Sequence, residues 1–242
     1  MSELKFPTEE VELPSKGLIY PEDSPLSSGK VEIKYMTAKE EDILSNQSFI
    51  KKGIVLEKLL RSVIINKDIN VDDLIIGDKN ALLIATRILG YGKDYEVTIA
   101  GDKHVIDLST LENRVYDESS ITKGVNEFSY TLPSANVALT YKIITGRDEK
   151  AIEREVAGLK KINKEASPDL STRLKHMILS VDGNSEKKDI REFVDNHFLA
   201  RDSRAFRTHI ADTQPDVDLV YITESGEEVN VPIGLNFFWP DF

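Results

Sequence analysis

The chain has 242 residues and a mass of 27.2 kDa, enough for one large domain or two smaller ones. Its 40% hydrophobic and 30% charged residues are typical of a soluble globular protein, and the lack of cysteine excludes disulfides, thiol catalysis and thiolate-bound zinc. The net charge of −11 argues against general binding to nucleic acids or anionic membranes. No bilayer-spanning apolar run or secretory signal is recognisable, so we expect a cytoplasmic protein.

The first 36 residues are predicted to form an extended, turning arm that leads into a strand. Prolines and glycines punctuate the stretch VELPSKGLIYPEDSPLSSGK, and proline fixes φ and removes a hydrogen-bond donor. Apolar and charged residues then alternate from Val31 to Met36, which indicates a strand. Thr37 and Glu40 have the spacing of a capping box, which predicts that a helix begins there.

Helical patterns and then strand patterns follow. Apolar residues recur at helical spacing over 49–65, and the apolar run NALLIATRIL predicts a buried helix with Asp78 as N-cap and Gly90 as C-cap. The period then changes to two, with a Gly-Asp turn at 101–102 and a second pair of strands around 133–136. These runs predict a small antiparallel sheet.

The last third of the chain returns to helices and closes with a hairpin. Apolar stripes predict one helix over 148–164, a second from the Ser-Pro-Asp start at 167 to Gly183, and a third over 190–198. A further short helix is predicted in SRAFRTHIAD, and two strands around a Ser-Gly turn follow it. Between Arg147 and Arg207, 14 Lys/Arg oppose 12 Asp/Glu, whereas the rest of the chain carries 17 and 30. We interpret this near-neutral block as a solvated helical surface, with a docking face for an acidic partner as the alternative.

The order of arm, helices, sheet, helices and hairpin indicates an α+β fold. Amphipathic helices are expected together with a small antiparallel sheet in the middle and a C-terminal β-hairpin. We predict three segments: the proline-rich arm and first strand over 1–36, helices with the small sheet over 37–145, and a helical segment ending in the hairpin over 146–242.

Residue patterns typical of catalysis do not stand out in the sequence. The stretch GYGKD at 90–94 follows a predicted helix and precedes a strand, which is the reverse of a phosphate-binding loop. The four histidines do not form the pair around a glutamate that zinc hydrolases use, and adjacent acids such as Glu40 and Glu41 point in different directions. We expect no catalytic residue, cofactor or metal. The disfavoured alternative is an enzyme whose catalytic residues are distant in sequence and come together only in the folded chain.

Several unusual stretches occur in the same order as in a known family. They are LPSKGLIYPEDSPL and KVEIKYMTAKEEDILSN near the start, LIIGDKNALLIATRILGYGKDYE and GLKKINKEASPDLSTRLKHMI in the middle, and VPIGLNFFWPDF at the end. Together they resemble the baseplate hub subunit family of T-even-type contractile-tailed phages, especially its cyanophage members. The resemblance covers nearly the whole chain.

The resemblance implies a non-enzymatic structural component of the tail baseplate hub, which acts in tail assembly through contacts with other hub and tail proteins. It implies a place in the virion, with the host cytoplasm as the site of assembly, and no nucleic-acid, membrane or small-molecule partner is expected. Some relatives carry paired cysteines in the C-terminal hairpin, suggestive of a zinc ribbon, but VYITESGEEVNVP has none. The alternative function is an assembly chaperone that the mature virion does not retain.

Large apolar side chains near both ends are the predicted partner contacts, because aromatic rings dominate interface energetics. The candidates are Leu18, Ile19 and Tyr20 in the arm, and Phe238, Trp239 and Phe242 at the end. Alternation in VNVPIGLNFFW predicts a core face that includes Phe237. The last three aromatics are left either to pack internally or to contact another protein.

Overall fold

Eight α-helices and nine short strands form the described part of the chain and confirm the predicted α+β class. A computed structural model describes residues 7–99, 102–163, 165, 167–223, 226 and 228–238. The helices are α1 (Ala38–Leu44), α2 (Gln47–Lys51), α3 (Val55–Val63), α4 (Ile76–Tyr91), α5 (Gly146–Ile162), α6 (Asp169–Met177), α7 (Lys187–Glu192) and α8 (Ala200–Thr213). The strands are β1 (Thr8–Glu12), β2 (Lys30–Lys34), β3 (Asp94–Ile99), β4 (Asp102–Asp107), β5 (Phe128–Thr131), β6 (Ala138–Tyr141), β7 (Ile178–Val181), β8 (Val220–Ile222) and β9 (Glu228–Asn230).

The chain divides into two compact units that each combine separate stretches of sequence. Unit 1 comprises residues 1–17, 22–115 and 215–242, and unit 2 comprises residues 18–21 and 116–214. The predicted divisions after residues 36 and 145 therefore fall inside units rather than between them. The three predicted segments follow sequence order, whereas residues far apart in sequence come together to form the units.

Unit 1 begins with a pair of strands, one of which has no alternating pattern in its sequence. β1 pairs antiparallel with β2, from Thr8 opposite Lys34 to Glu12 opposite Lys30. β1 has the sequence TEEVE, whose single apolar residue gives no alternation, so the pattern predicts only an arm here. β2 lies in the predicted strand region, and its side chains alternate between exposed and buried.

The predicted capping box at the start of α1 is confirmed. The Thr37 backbone N–H and hydroxyl both donate to Glu40 Oε2, at 2.9 and 2.7 Å. Lys34 Nζ and Ser62 Oγ donate to Oε1 of the same buried carboxylate, at 2.7 and 2.6 Å. Burial alone raises the pKa of Glu40, but the hydrogen bonds outweigh it and lower this pKa to about 2. One carboxylate thus joins β2, α1 and α3.

Glycines decide where two helices of unit 1 stop. The helix predicted over 49–65 is divided into α2 and α3, and Gly53 between them has a φ of +67°. α4 begins before Asp78, which therefore lies in the first turn instead of at the predicted N-cap position. The same helix continues past Gly90, the predicted C-cap, and ends against Gly92 at a φ of +86°.

Two predicted hairpins are confirmed in unit 1, although the final strand is short. β3 and β4 pair antiparallel around the predicted turn, of which Gly101 lies outside the described residues while Asp102 is already the first residue of β4. β8 and β9 also pair antiparallel, from Val220 opposite Asn230. Pro232 cannot donate to a strand ladder, and the chain leaves the strand before it and forms a 3₁₀ turn over Leu235–Phe237. The predicted alternation of faces therefore does not extend to the terminal aromatics.

Unit 2 contains a three-stranded antiparallel sheet with the order β5-β6-β7. β5 and β6 are the strands predicted around 133–136. The helical spacing predicts a helix that reaches Gly183, but α6 ends at Met177 and the next four residues pair with β6. The β-branched side chains of Ile178 and Val181 favour a strand at this point.

The positions of α5, α7 and α8 in unit 2 agree with the predicted apolar stripes. α5 begins at a capping box in which the Thr145 N–H and hydroxyl donate to Asp148 Oδ2, at 3.1 and 3.0 Å. α7 continues into a π-helical turn over Phe193–His197, and α8 buries Phe206 and Ile210. These helices cover the sequence block that was expected to be nearly neutral.

Charge differs strongly between the two units. Unit 2 contains 16 basic and 16 acidic residues, so its formal net charge is zero. Unit 1 contains 15 basic and 26 acidic residues and therefore carries the full net charge of −11. The uneven distribution noted in the sequence thus coincides with the division into units.

Candidate functional site

The arm residues predicted to contact a partner belong to unit 2, and two of the three are buried there. Ile19 is 2% exposed and Tyr20 is 5% exposed, whereas Leu18 is half-buried. The Gly124 N–H donates to the Leu18 carbonyl at 2.7 Å, which ties the segment to the rest of the unit. Ile19 and Tyr20 therefore serve the core of this chain and do not offer an exposed contact surface. A partner contact at Leu18 remains a prediction.

The C-terminal aromatics that the structure describes pack internally in unit 1. Phe238 is fully buried, and its ring meets the Phe237 ring edge-on at a centroid distance of 5.5 Å. Phe237 is also fully buried and lies 5.1 Å from the Tyr95 ring. Of the two possibilities left open by the sequence, Phe238 therefore packs internally. Trp239 and Phe242 lie outside the described residues, so their role remains a prediction.

A buried polar contact attaches the N-terminal arm to α4. Asp78 and Ser15 are both fully buried in unit 1. The Ser15 backbone N–H donates to Asp78 Oδ1 at 2.9 Å, and its hydroxyl donates to Oδ2 at 2.6 Å. A carboxylate that accepts two short hydrogen bonds away from water fixes its partner strongly, because either group alone would be left unsatisfied. Asp78 therefore positions the arm rather than capping the helix.

A buried arginine on the same helix holds the C-terminal segment. Arg87 is 2% exposed, and its Nε donates to the Phe237 carbonyl at 3.0 Å. Its Nη1 donates to the Gly92 carbonyl at 2.9 Å, and Nη2 lies 3.4 Å from the Asp94 carbonyl. Burial lowers the pKa of Arg87, so the cation is retained at a desolvation cost that the carbonyl dipoles offset. The guanidinium thus joins the end of α4, β3 and the C-terminal segment.

Unit 2 contains a cavity beside its sheet. The cavity has a volume of about 230 Å³. It is lined by Asp117, Ser120, Phe128, Ser129, Tyr141, Ile143, His209, Ile210, Thr213 and Gln214. The Tyr141 hydroxyl and His209 Nε2 lie 2.9 Å apart, and burial raises the pKa of this tyrosine and lowers the pKa of this histidine. Both rings are therefore neutral at pH 7, and their hydrogen bond joins α8 to β6.

A second, charged cleft of unit 2 has a volume of about 510 Å³. Three of its cations pair with acids: Lys142 with Asp148, Lys175 with Asp195, and Arg191 with Glu155. His176 Nε2 lies 3.0 Å from Glu155 Oε2, and Arg191 is the main cause that lowers the pKa of Glu155. These contacts join α5, α6 and α7, and Lys187, which also lines the cleft, is exposed.

In the part of the chain that the structure describes, no group of three or more histidine, aspartate or glutamate side chains is arranged to hold a metal ion. In the same residues, no helix is both long and apolar enough to cross a bilayer. The C-terminal hairpin is held by main-chain pairing of β8 and β9.

No protein-family model, curated protein or solved structure matches this chain. The fold and its buried polar contacts therefore have to be interpreted from their own geometry.

Two buried polar residues were not recognised from the sequence, and only the first of them has a signal there. Arg87 is the only charged residue in the apolar run NALLIATRIL, and a cation in such a run indicates a buried group that needs acceptors. Asp202 in α8 is fully buried and accepts from the Ser134 and Ala135 backbone N–H groups, at 2.8 and 3.0 Å. Its partners lie far away in sequence, so only the folded chain identifies them.

Proposed function

We propose that the chain is a structural subunit of a phage tail baseplate hub that acts through protein contacts and catalyses no reaction. The observation that carries this proposal is the ordered series of stretches, from LPSKGLIYPEDSPL to VPIGLNFFWPDF, that resembles the hub subunit family along nearly the whole chain. In this role the protein would reside in the virion after assembly in the host cytoplasm. Its partners would be other hub and tail proteins.

The contacts of α4 support the proposal because they explain why those stretches belong together. The stretch LIIGDKNALLIATRIL contains Asp78, which binds the arm, and Arg87, which binds the C-terminal segment. Asn80 Nδ2 in the same stretch donates to Asp216 Oδ1 at 3.1 Å. Three of the stretches that carry the resemblance, those that contain Ser15, Asp78 and Phe237, are therefore in physical contact within unit 1, as expected for residues that preserve a shared framework.

The chemistry of the buried polar groups also suits a role in assembly. Asp78, Arg87 and Asp202 each bind main-chain groups of distant segments, and the Tyr141–His209 pair joins a helix to a strand. Buried polar contacts of this kind fix the relative positions of segments. A rigid shape is what a component that works by fitting against neighbours requires.

An assembly chaperone is the second candidate, and the charge distribution favours it. All of the net charge of −11 belongs to unit 1, and a strongly acidic surface keeps a protein soluble while it holds an apolar partner. A chaperone would be present in infected cells and absent from the finished particle.

The proposal is tested by interrupting the gene in the phage and purifying tail structures from infected cells. We expect baseplates without a complete hub, and recovery of complete hubs when the protein is supplied in trans. Normal baseplates formed without the protein would contradict both the structural and the chaperone function. Complete baseplates from cells that supply the protein only transiently, with none of it in the particles, would favour the chaperone.

A further inference from the structure

The outer face of α8 carries a row of three arginines, Arg201, Arg204 and Arg207, here named the arginine face. All three are exposed, and they follow one another at intervals of three residues. An α-helix rises about 4.5 Å over three residues, so neighbouring members of the row are roughly one helical turn apart. The row therefore presents closely spaced guanidinium groups along one side of the helix.

These arginines are less fully neutralised by acidic side chains than several others in the chain. In the described residues, none of the three forms an ion pair with a carboxylate, and Arg207 Nε only donates to the Ser203 carbonyl at 3.3 Å. Four arginines elsewhere do pair with acids: Arg61, Arg114, Arg173 and Arg191. Since unit 2 has no net charge, the row is a local concentration of unpaired cations.

The acid nearest in sequence to this row is withdrawn from it. Asp202 follows Arg201 directly but is fully buried, and both of its oxygens accept backbone N–H groups of Ser134 and Ala135. Burial raises the pKa of Asp202, but these hydrogen bonds, helped by the nearby charge of Arg201, outweigh it, so its pKa is lowered and the carboxylate stays ionised. The carboxylate anchors α8 to the turn before β6, and the arginines remain on the outer side.

The arginine face borders an open concavity of about 500 Å³. Its lining residues are Tyr130, Arg201, Arg204, Ala205, Thr208, His209 and Asp212. Tyr130 and His209 are stacked with their ring centroids 4.3 Å apart, which gives the concavity a rigid aromatic wall. Arginine and aromatic residues are both enriched in protein interfaces.

We propose that the arginine face and the adjoining concavity dock a helix of another protein that carries a row of carboxylates. Guanidinium groups match carboxylates in a two-pronged geometry, and acids three or four residues apart on a helix repeat at about the spacing of the arginine row. A nucleic acid fits less well because phosphate binding requires many cations, and the rest of the chain is acidic. This inference depends on the proposed hub function only for the identity of the partner.

Binding is tested with purified full-length protein and a fluorescein-labelled helical peptide that has glutamates at every third and fourth position along one face. Fluorescence anisotropy at low salt gives the Kd. We expect the double variant Arg201→Glu/Arg204→Glu to raise the Kd by at least about tenfold, because attraction becomes repulsion at two positions. The matched control Lys187→Glu/Lys188→Glu makes the same charge change at exposed positions of α7 and should bind like the wild type.

Any of these peptide-binding results would overturn the proposal: no binding of the peptide by the wild type, equal binding of a scrambled peptide of the same composition, equal losses in both double variants, or tighter binding of oligothymidylate than of the peptide. Self-association of the wild type that the arginine variant loses would assign the face to a second copy and would also overturn it. Circular dichroism verifies that both variants are folded. Because no phage protein is used, the outcome is independent of whether the protein belongs to the baseplate hub.

Discussion

Replacement of Arg87 by methionine tests the inference that a buried cation holds the C-terminal segment of unit 1. Methionine keeps a long side chain in the core and removes the guanidinium. The two shorter hydrogen bonds, to the Phe237 and Gly92 carbonyls, are 3.0 and 2.9 Å long, and bonds from a charged donor contribute about 1.5–3 kcal/mol each. Loss of the buried charge offsets part of this, because burial also destabilises the cation. We expect a net loss of about 3 kcal/mol in the free energy of unfolding.

The measurement is urea denaturation followed by circular dichroism, combined with native-state hydrogen exchange of residues 228–238. Arg87→Met should accelerate exchange in that segment, because its attachment to α4 is lost. The control is Arg61→Met, which removes an exposed arginine that pairs with Glu57 and Asp72 at 2.9 and 3.1 Å. Exposed ion pairs contribute at most about 1 kcal/mol, so this control should be nearly neutral. If both variants lose an equally small amount of stability and hydrogen exchange is unchanged, Arg87 does not hold the C-terminal segment.

Three further substitutions test other contacts by the same denaturation assay. Glu40→Gln should lower the free energy of unfolding by about 3 kcal/mol at pH 7, since the pKa of Glu40 is about 2 against an ordinary 4.5. Because this pKa is lowered, the extra stability of the wild type should disappear as pH falls from 4.5 towards 2, and a stability difference independent of pH would contradict the account. Gly77→Ala should destabilise the protein by about 1–3 kcal/mol, because its methyl group would lie 2.1 Å from the Pro215 carbonyl oxygen. The control Gly158→Ala in α5 meets nothing within 4 Å and should stabilise the protein by about 0.5–1 kcal/mol. Equal effects of the two substitutions would refute this account. Thr172→Val should be neutral or stabilising, because its buried hydroxyl has no hydrogen-bond partner in the described residues, and a loss above about 1 kcal/mol would show that a partner exists.

Local signals predicted much of the fold. The capping box at Thr37 was predicted because its two residues lie three positions apart. The box at Thr145 has the same spacing but was not predicted. The hairpins likewise follow from alternation and turn residues. β1 and β7 were not predictable in this way, because β1 has one apolar side chain and β7 continues a helical stripe without a break. In both cases, pairing with a distant strand decides the conformation.

The candidate contact residues were harder to predict, because exposure depends on the tertiary structure. Ile19 and Tyr20 look like exposed anchors between prolines, yet both are buried in unit 2. Phe238 follows a strand pattern that ends early, so the 3₁₀ turn places it in the core beside Phe237. The arginine face was contained in the near-neutral block, but only the inward position of Asp202 shows that the three arginines lack a neutralising acid.

Quantitative mass spectrometry of purified virions and isolated baseplates tests the proposed function most directly. If the chain is a structural hub subunit, its peptides should be present in both samples at a constant ratio to the other hub proteins. Absence from virions, with abundant protein in the infected lysate, would contradict a structural role.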